Sequence, residues 1–262
     1  MVPTIHIIVR RSGRRAFTLV ELLVVISIIC ILAAIVFPAV VATRKAVDSS
    51  SACQTGKQLF SSTGLYASDS DDLYPVAMYV NGDGNLVTWF GLQTAKTEFD
   101  RQQGILSAYV GGFLRADPAH NALPYLGDMS GFGYNYGYLG SDFSMTGDYS
   151  QWPNCKDPSN SSSLELPSNT LLYASSAFYN APWLENGDGK KYDFGFIDPP
   201  SGWDGNPNMD FRHFDRRVVD FVKHQVNTTG KAICVFADGH VDTLRQSEIK
   251  DSMFQRDSYM VQ

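Results

Sequence analysis

The chain has 262 residues, 44% of them hydrophobic and 18% charged, which is room for one soluble domain of ordinary globular composition beside an apolar segment. Its formal charge of −6 argues against nucleic acid or anionic lipid as the partner of its surface. The four cysteines, at 30, 53, 155 and 234, have no metal-ligand spacing.

Residues 1–16 carry Arg10, Arg11, Arg14 and Arg15 and no acid, so the positive-inside tendency keeps the amino end cytoplasmic. From Leu22 to Val41 only Ser27 and Pro38 interrupt an apolar run, which as a helix just spans a hydrocarbon core of roughly 30 Å. The domain beyond it is then placed across the membrane. Cys53, Cys155 and Cys234 would face the oxidising side, which allows one disulfide at most. Glu21 opens the apolar run, and a carboxylate at membrane depth costs about 2.5 to 3.5 kcal/mol unless it is partnered. A helix start that merely favours a negative charge is the plainer reading of the same residue. Pro38 removes a donor and frees the Ala34 carbonyl, which predicts a kinked or loosened helix there.

The string Arg14-Arg15-Ala16-Phe17-Thr18-Leu19-Val20-Glu21 resembles the class III leader of type IV pilins and type II secretion pseudopilins. The resemblance implies cleavage between Ala16 and Phe17 by prepilin peptidase, methylation of the new Phe17 amine, and pairing of Glu21 with the terminal amine of a neighbouring subunit. It also implies other pilin or pseudopilin subunits and an inner-membrane assembly platform as partners, with the carboxy-terminal domain in the periplasm. Ala16 stands where the family usually has glycine. Loss of the leader arginines would take the formal charge from −6 to −10. Two rival readings exist. Gly13 to Leu19 faintly resembles a twin-arginine signal, with Val40-Val41-Ala42 as a cleavage site. A plain membrane anchor explains the length and the arginines but not the Phe-Thr-Leu-Val-Glu string.

Past the membrane the helix is expected to continue to Ser68, with Leu59, Phe60, Thr63 and Tyr66 at helical spacing. Over 17–68 it would be about 78 Å long at 1.5 Å per residue. Ser68-Asp69-Ser70-Asp71-Asp72 ends it, either as a solvated turn or as a calcium loop. No twelve-residue calcium pattern follows, so a structural calcium ion is the one cofactor weighed and no ligands are assigned.

A second resemblance is spread along the chain, to the pilin-like family with a prepilin-type leader and a carboxy-terminal His-x9-Asp-Gly region. It rests on Cys53 with Gly56-Lys57-Gln58, Tyr74-Pro75, Gly104 to Tyr109, Ser130 to Asn135, Leu166 to Leu172 and Val235-Phe236-Ala237-Asp238-Gly239-His240-Val241. Asp117-Pro118 replaces that family's Cys-Pro, and Thr228 falls where its histidine is expected. His224 or His213 would stand in across an insertion. On residues alone, Ala232 to Ala237 and Val241 to Leu244 flank Asp238-Gly239 as a hairpin, with Gly239 supplying positive φ. That structural reading is preferred to a binding role for Asp238 and His240.

Further strands are expected at 78–80, 86–90 and 170–174, giving an α+β domain over 69–262 whose antiparallel sheet packs on the second half of the helix. The stretch 179–215 reads as a long insertion holding Trp183, Tyr192, Phe194, Phe196 and Trp203. No nucleophile elbow, phosphate loop, zinc-protease helix or Rossmann fingerprint occurs, so no catalysis is expected. Asp210, His213, Asp215, His224 and Asp238 lie near enough in sequence to imagine a metal or acid–base site, but serve equally as surface polar groups. The expected function is a structural pilin-like subunit. The alternative is a membrane-tethered module that recognises an exported polymer such as a glycan through Trp183, Trp203, Tyr192 and Phe194.

Overall fold

The computed structural model describes residues 17–94, 99–111, 116–123, 130–180, 187–202, 208–214, 217–220 and 225–256. Ala16, Trp183, Trp203, Asp215 and His224 lie outside the described residues. The chain divides into two units, 1–44 and 45–262.

In the first unit, helix α1 (Leu19–Asp69) begins at the apolar run, and every described side chain there is exposed. It is long and apolar enough to cross a membrane, and none of its apolar window is buried in protein. Its hydroxyls are satisfied within the helix: Ser27 donates to the Leu23 carbonyl at 2.8 Å and Thr43 to the Ala39 carbonyl at 2.9 Å. Pro38 lies inside the helix.

In the second unit α1 continues from Lys45 and buries Ser49, Ala52, Thr55, Gly56, Leu59, Ser62, Thr63 and Ala67. These recur at three-to-four spacing, so they form one stripe, and all but Leu59 are small. Small residues let the helix backbone approach the sheet beneath.

Twelve short strands follow among the described residues. β1 (Met78–Val80), β2 (Leu86–Thr88), β3 (Gly91–Gln93) and β4 (Phe99–Asp100) form an antiparallel meander in that order. A single strand over 86–90 was expected, but the chain turns at Trp89 and Phe90. Thr88 closes that turn by exchanging hydrogen bonds with Gly91, and Trp89 points inward to donate to the Gly195 carbonyl at 2.7 Å. β5 (Phe132–Tyr134), the one-turn α2 (Phe143–Thr146) and β6 (Leu171–Ser175) come next. β7 (Phe178–Asn180) pairs with β8 (Lys190–Tyr192), and β9 (Arg217–Asp220) with β10 (Gln225–Thr228). β11 (Ala232–Phe236) and β12 (Val241–Leu244) complete the second four-stranded sheet, in the order β12-β11-β6-β5, with every pair antiparallel. The fold is α+β: a long amino-terminal helix followed by antiparallel sheets.

β6 and β11 are buried at every position. Ile233 and Val235 face a cluster with Leu59, Trp89, Phe132, Tyr134 and Tyr173, while Ala232, Cys234 and Phe236 face a second cluster with Ile197, Phe211, Ile249 and Phe254. Covering on both sides explains why these strands read as continuous apolar runs instead of alternating ones. All four cysteines are unpaired, so the one disulfide that the count allowed is not formed. Cys234 is fully buried as a small core residue, and burial pushes the Cys155 thiol up to about 11.

Candidate functional site

The first candidate is the start of α1. Phe17 is exposed, and Thr18 and Glu21 close on each other across the first turn. The Thr18 backbone N–H donates to Glu21 Oε2 at 2.9 Å and the Thr18 hydroxyl to the same oxygen at 2.8 Å, while the Glu21 N–H donates to Thr18 Oγ1 at 3.2 Å. This is a reciprocal capping box, and it satisfies two donors that a helix start otherwise leaves open. The Thr-x-x-Glu spacing announces it in the sequence; reading Glu21 as a membrane-depth carboxylate or as a charge at a helix start passed over the partner three residues before it.

The second candidate is the hairpin between β11 and β12. Gly239 has φ of 91° and donates its N–H to the Phe236 carbonyl at 3.0 Å. Asp238 is not in the positive-φ region, so this is not the two-residue turn with both central residues left-handed. It is a wider turn over Phe236–Gly239 whose last residue alone must be glycine. The Asp238 carboxylate accepts from the His240 backbone N–H at 3.1 Å and lies 2.6 Å from His240 Nδ1. The His240 ring stacks on Phe236 at 4.1 Å. Asp238 and His240 bond to each other, and Gly239 sits against Phe60 of α1, where a β-carbon would come within 2.5 Å of the ring.

The third candidate joins residues that the sequence left between a metal or acid–base site and surface polar groups. Asp210 and His213 are only 3% and 2% exposed. They join Asp117, Arg212, Lys191 and Ser49 in a largely buried polar network. Arg212 Nε donates to Asp117 Oδ2 at 2.7 Å, its Nη1 to Asp210 Oδ2 at 2.8 Å, and its Nη2 to the Gly131 carbonyl. Lys191 Nζ reaches Asp210 Oδ2 at 2.7 Å. His213 lies with Nε2 3.0 Å from Asp117 Oδ2 and Nδ1 3.1 Å from Ser49 Oγ on α1. Burial alone would raise the Asp117 carboxyl, but hydrogen bonding to His213 and the charge of Arg212 outweigh it and hold the group at about 2.

Ser49, His213 and Asp117 therefore stand in the order of a nucleophile, base and acid. Burial decides what they do. At 6%, 2% and 2% exposure no substrate reaches them, and Ser49 Oγ also lies 3.0 Å from the Lys45 carbonyl as its donor. The arrangement works as a clasp tying α1, the 116–123 segment, β8 and the 208–214 segment together. Beside it His120 Nε2 lies 3.0 Å from Asp193 Oδ2 without hydrogen-bond geometry.

The remaining expectations fall as follows. Among the described residues no three histidine, cysteine, aspartate or glutamate side chains gather to hold a metal ion. The acidic run at the end of α1 is a helix terminus docked on its neighbour: the Asp72 N–H reaches back to the Ala67 carbonyl, and the Ser161 N–H donates to the Asp72 carbonyl. Tyr192 gives its hydroxyl to Asp188 Oδ2 at 2.6 Å and Phe194 packs on Phe196, while the two tryptophans expected beside them, Trp183 and Trp203, lie outside the described residues.

The model of the prokaryotic N-terminal methylation motif matches residues 11–37. That interval holds Arg11, Arg14 and Arg15, the Ala16–Phe17 junction, the Thr18–Glu21 box and most of the apolar run. No curated protein and no solved structure matches the chain. A prepilin-like leader followed by an apolar helix points to a structural protein anchored in a membrane.

Proposed function

We propose that this chain is a pilin-like structural subunit, cut between Ala16 and Phe17 by prepilin peptidase and methylated on the Phe17 amine. The helix over about 22–41 holds it in the inner membrane, with the domain from residue 69 onward in the periplasm. From there it enters a filament of the type II secretion or type IV pilus kind. The observation that carries this reading is the methylation motif over 11–37, lying on a helix whose apolar window buries nothing in its own chain. A bare apolar helix is stable only in lipid or against other copies.

Glu21 supplies the assembly contact in this reading. Its carboxylate, which accepts from Thr18 in its own chain, would take the freed amine of a neighbouring subunit's Phe17, a charge pair that strengthens as water is excluded. Pro38 gives the helix a joint for adapting to its neighbours.

The test is the mass and amino-terminal sequence of the mature protein co-expressed with a prepilin peptidase. A chain beginning at methylated Phe17 is expected. One left uncut, or one beginning at Thr43 after signal-peptidase cleavage, refutes the reading.

A further inference from the structure

Two aromatic side chains outside every feature above stand half-exposed on the segment after α2: Tyr149 at 45% and Trp152 at 49%. A single exposed ring is ordinary. These two are fixed from behind. Phe143, buried at 1%, lies under both, with ring centroids 5.1 Å from Tyr149 and 5.8 Å from Trp152. Tyr136 meets Trp152 edge-on at 6.1 Å, and its own phenol is hydrogen-bonded to Asp198 and Tyr149. The Tyr149 and Trp152 rings are 6.4 Å apart and inclined at 50°, so they form a rigid open corner and do not close on each other.

The flanks identify what such a corner suits. From Gly147 to Asn154 the chain reads Gly-Asp-Tyr-Ser-Gln-Trp-Pro-Asn, and all of it except Pro153 is exposed. Within residues 147–154 no valine, leucine, isoleucine or methionine accompanies the rings, whereas a stable protein contact buries about 800 Å² per partner around an apolar centre. What flanks them along the chain is carboxylate, hydroxyl and amide. A sugar ring presents the complement: polarised C–H bonds on one face, which the negative face of an aromatic ring attracts, and hydroxyls at its rim. We propose that Tyr149 and Trp152 form a stacking site for a pyranose ring of a polysaccharide. This site is separate from the assembly reading and stands or falls without it.

The experiment titrates the purified full chain in detergent with β-1,4-linked hexasaccharides of glucose, xylose and N-acetylglucosamine, followed by intrinsic fluorescence and calorimetry. At least one is expected to bind saturably. Trp152→Ala should weaken it by about tenfold, the loss of one stacked ring, while the chain still unfolds cooperatively. Trp152→Phe should recover part of the loss and Tyr149→Phe most of the binding; these milder variants carry the test if the alanine variant does not fold. Binding of none of the three sugars overturns the proposal. So does binding that Trp152→Ala and Tyr149→Ala leave intact, or a Trp152→Ala variant that keeps the sugar but no longer cross-links into multimers, which would make the corner a protein contact.

Discussion

Gly56 of α1 sits directly over Val235 of β11, so close that a β-carbon at residue 56 would lie 2.7 Å from Val235 Cγ2. Both residues are buried, and a β-branched side chain has little freedom to turn away. Gly56→Ala is expected to destabilise the domain by about 1 to 3 kcal/mol, although alanine is the better helix former by about 1 kcal/mol. Thermal melts check this, and Val235→Ala in the Gly56→Ala background should recover more than the two single changes predict by addition.

Asp117 is expected to be the costliest single polar position. Asp117→Asn leaves Arg212 and His213 buried without their shared carboxylate, a loss of about 3 to 5 kcal/mol. The sign of its pH dependence follows from a carboxyl held at about 2 in the folded state against an ordinary value of 3.8. Its contribution, about 2 kcal/mol, is fully present above roughly pH 4 and is lost as pH falls toward 2. Urea melts between pH 2 and pH 5 should show this slope in the natural chain and a flatter one in Asp117→Asn.

For Glu21, one substitution separates capping from charge pairing. Glutamine at that place can still accept from the Thr18 N–H, so Glu21→Gln keeps the capping box and removes the charge. If the carboxylate pairs with a neighbour's amine, Glu21→Gln and Glu21→Leu are both still cut and found in the membrane, but fail to form cross-linked multimers. An isolated charge left behind costs about 3 to 5 kcal/mol, more than a hundredfold in each docking step. Normal multimers from Glu21→Gln would assign the residue to the helix start alone.

The hairpin offers a cleaner contrast between structure and binding. Gly239→Ala meets both a positive φ and the Phe60 ring, so a loss of about 1 to 2 kcal/mol is expected. His240→Ala removes an exposed ring and should shift the melting temperature by far less. Equal losses from the two would contradict the turn geometry.

What the sequence made legible follows from how local each cause is. The apolar run, the helical spacing from Leu59 to Thr63 and the hairpin around Asp238-Gly239 are set by residues within a turn or two of one another, and each stands where its pattern indicated. The clasp was not legible, because Asp117 and His213 are 96 positions apart and nothing in either neighbourhood marks them as partners. Charged side chains are mostly exposed, so nothing in the sequence marked Asp210 as the buried partner of Arg212, which the fold brings to it. The break at Trp89 was hidden for a related reason: an aromatic residue fits a strand, and only the distant Gly195 carbonyl draws its indole out of line.

The burial of β6 and β11 along their whole length has a consequence for how relatives of this chain would diverge. A sheet covered on both sides offers nothing of its central strands for recognition, so a partner meets the outer face of α1, an edge strand or the connecting segments. Those segments are tied to the framework at a few points, such as the Asn154 amide oxygen on the Val80 N–H and the Tyr136 phenol under Tyr149. Their tips can then be exchanged, lengthened or recomposed while the helix and strands keep their positions, which makes partner choice a property that evolves, or can be engineered, independently of the fold.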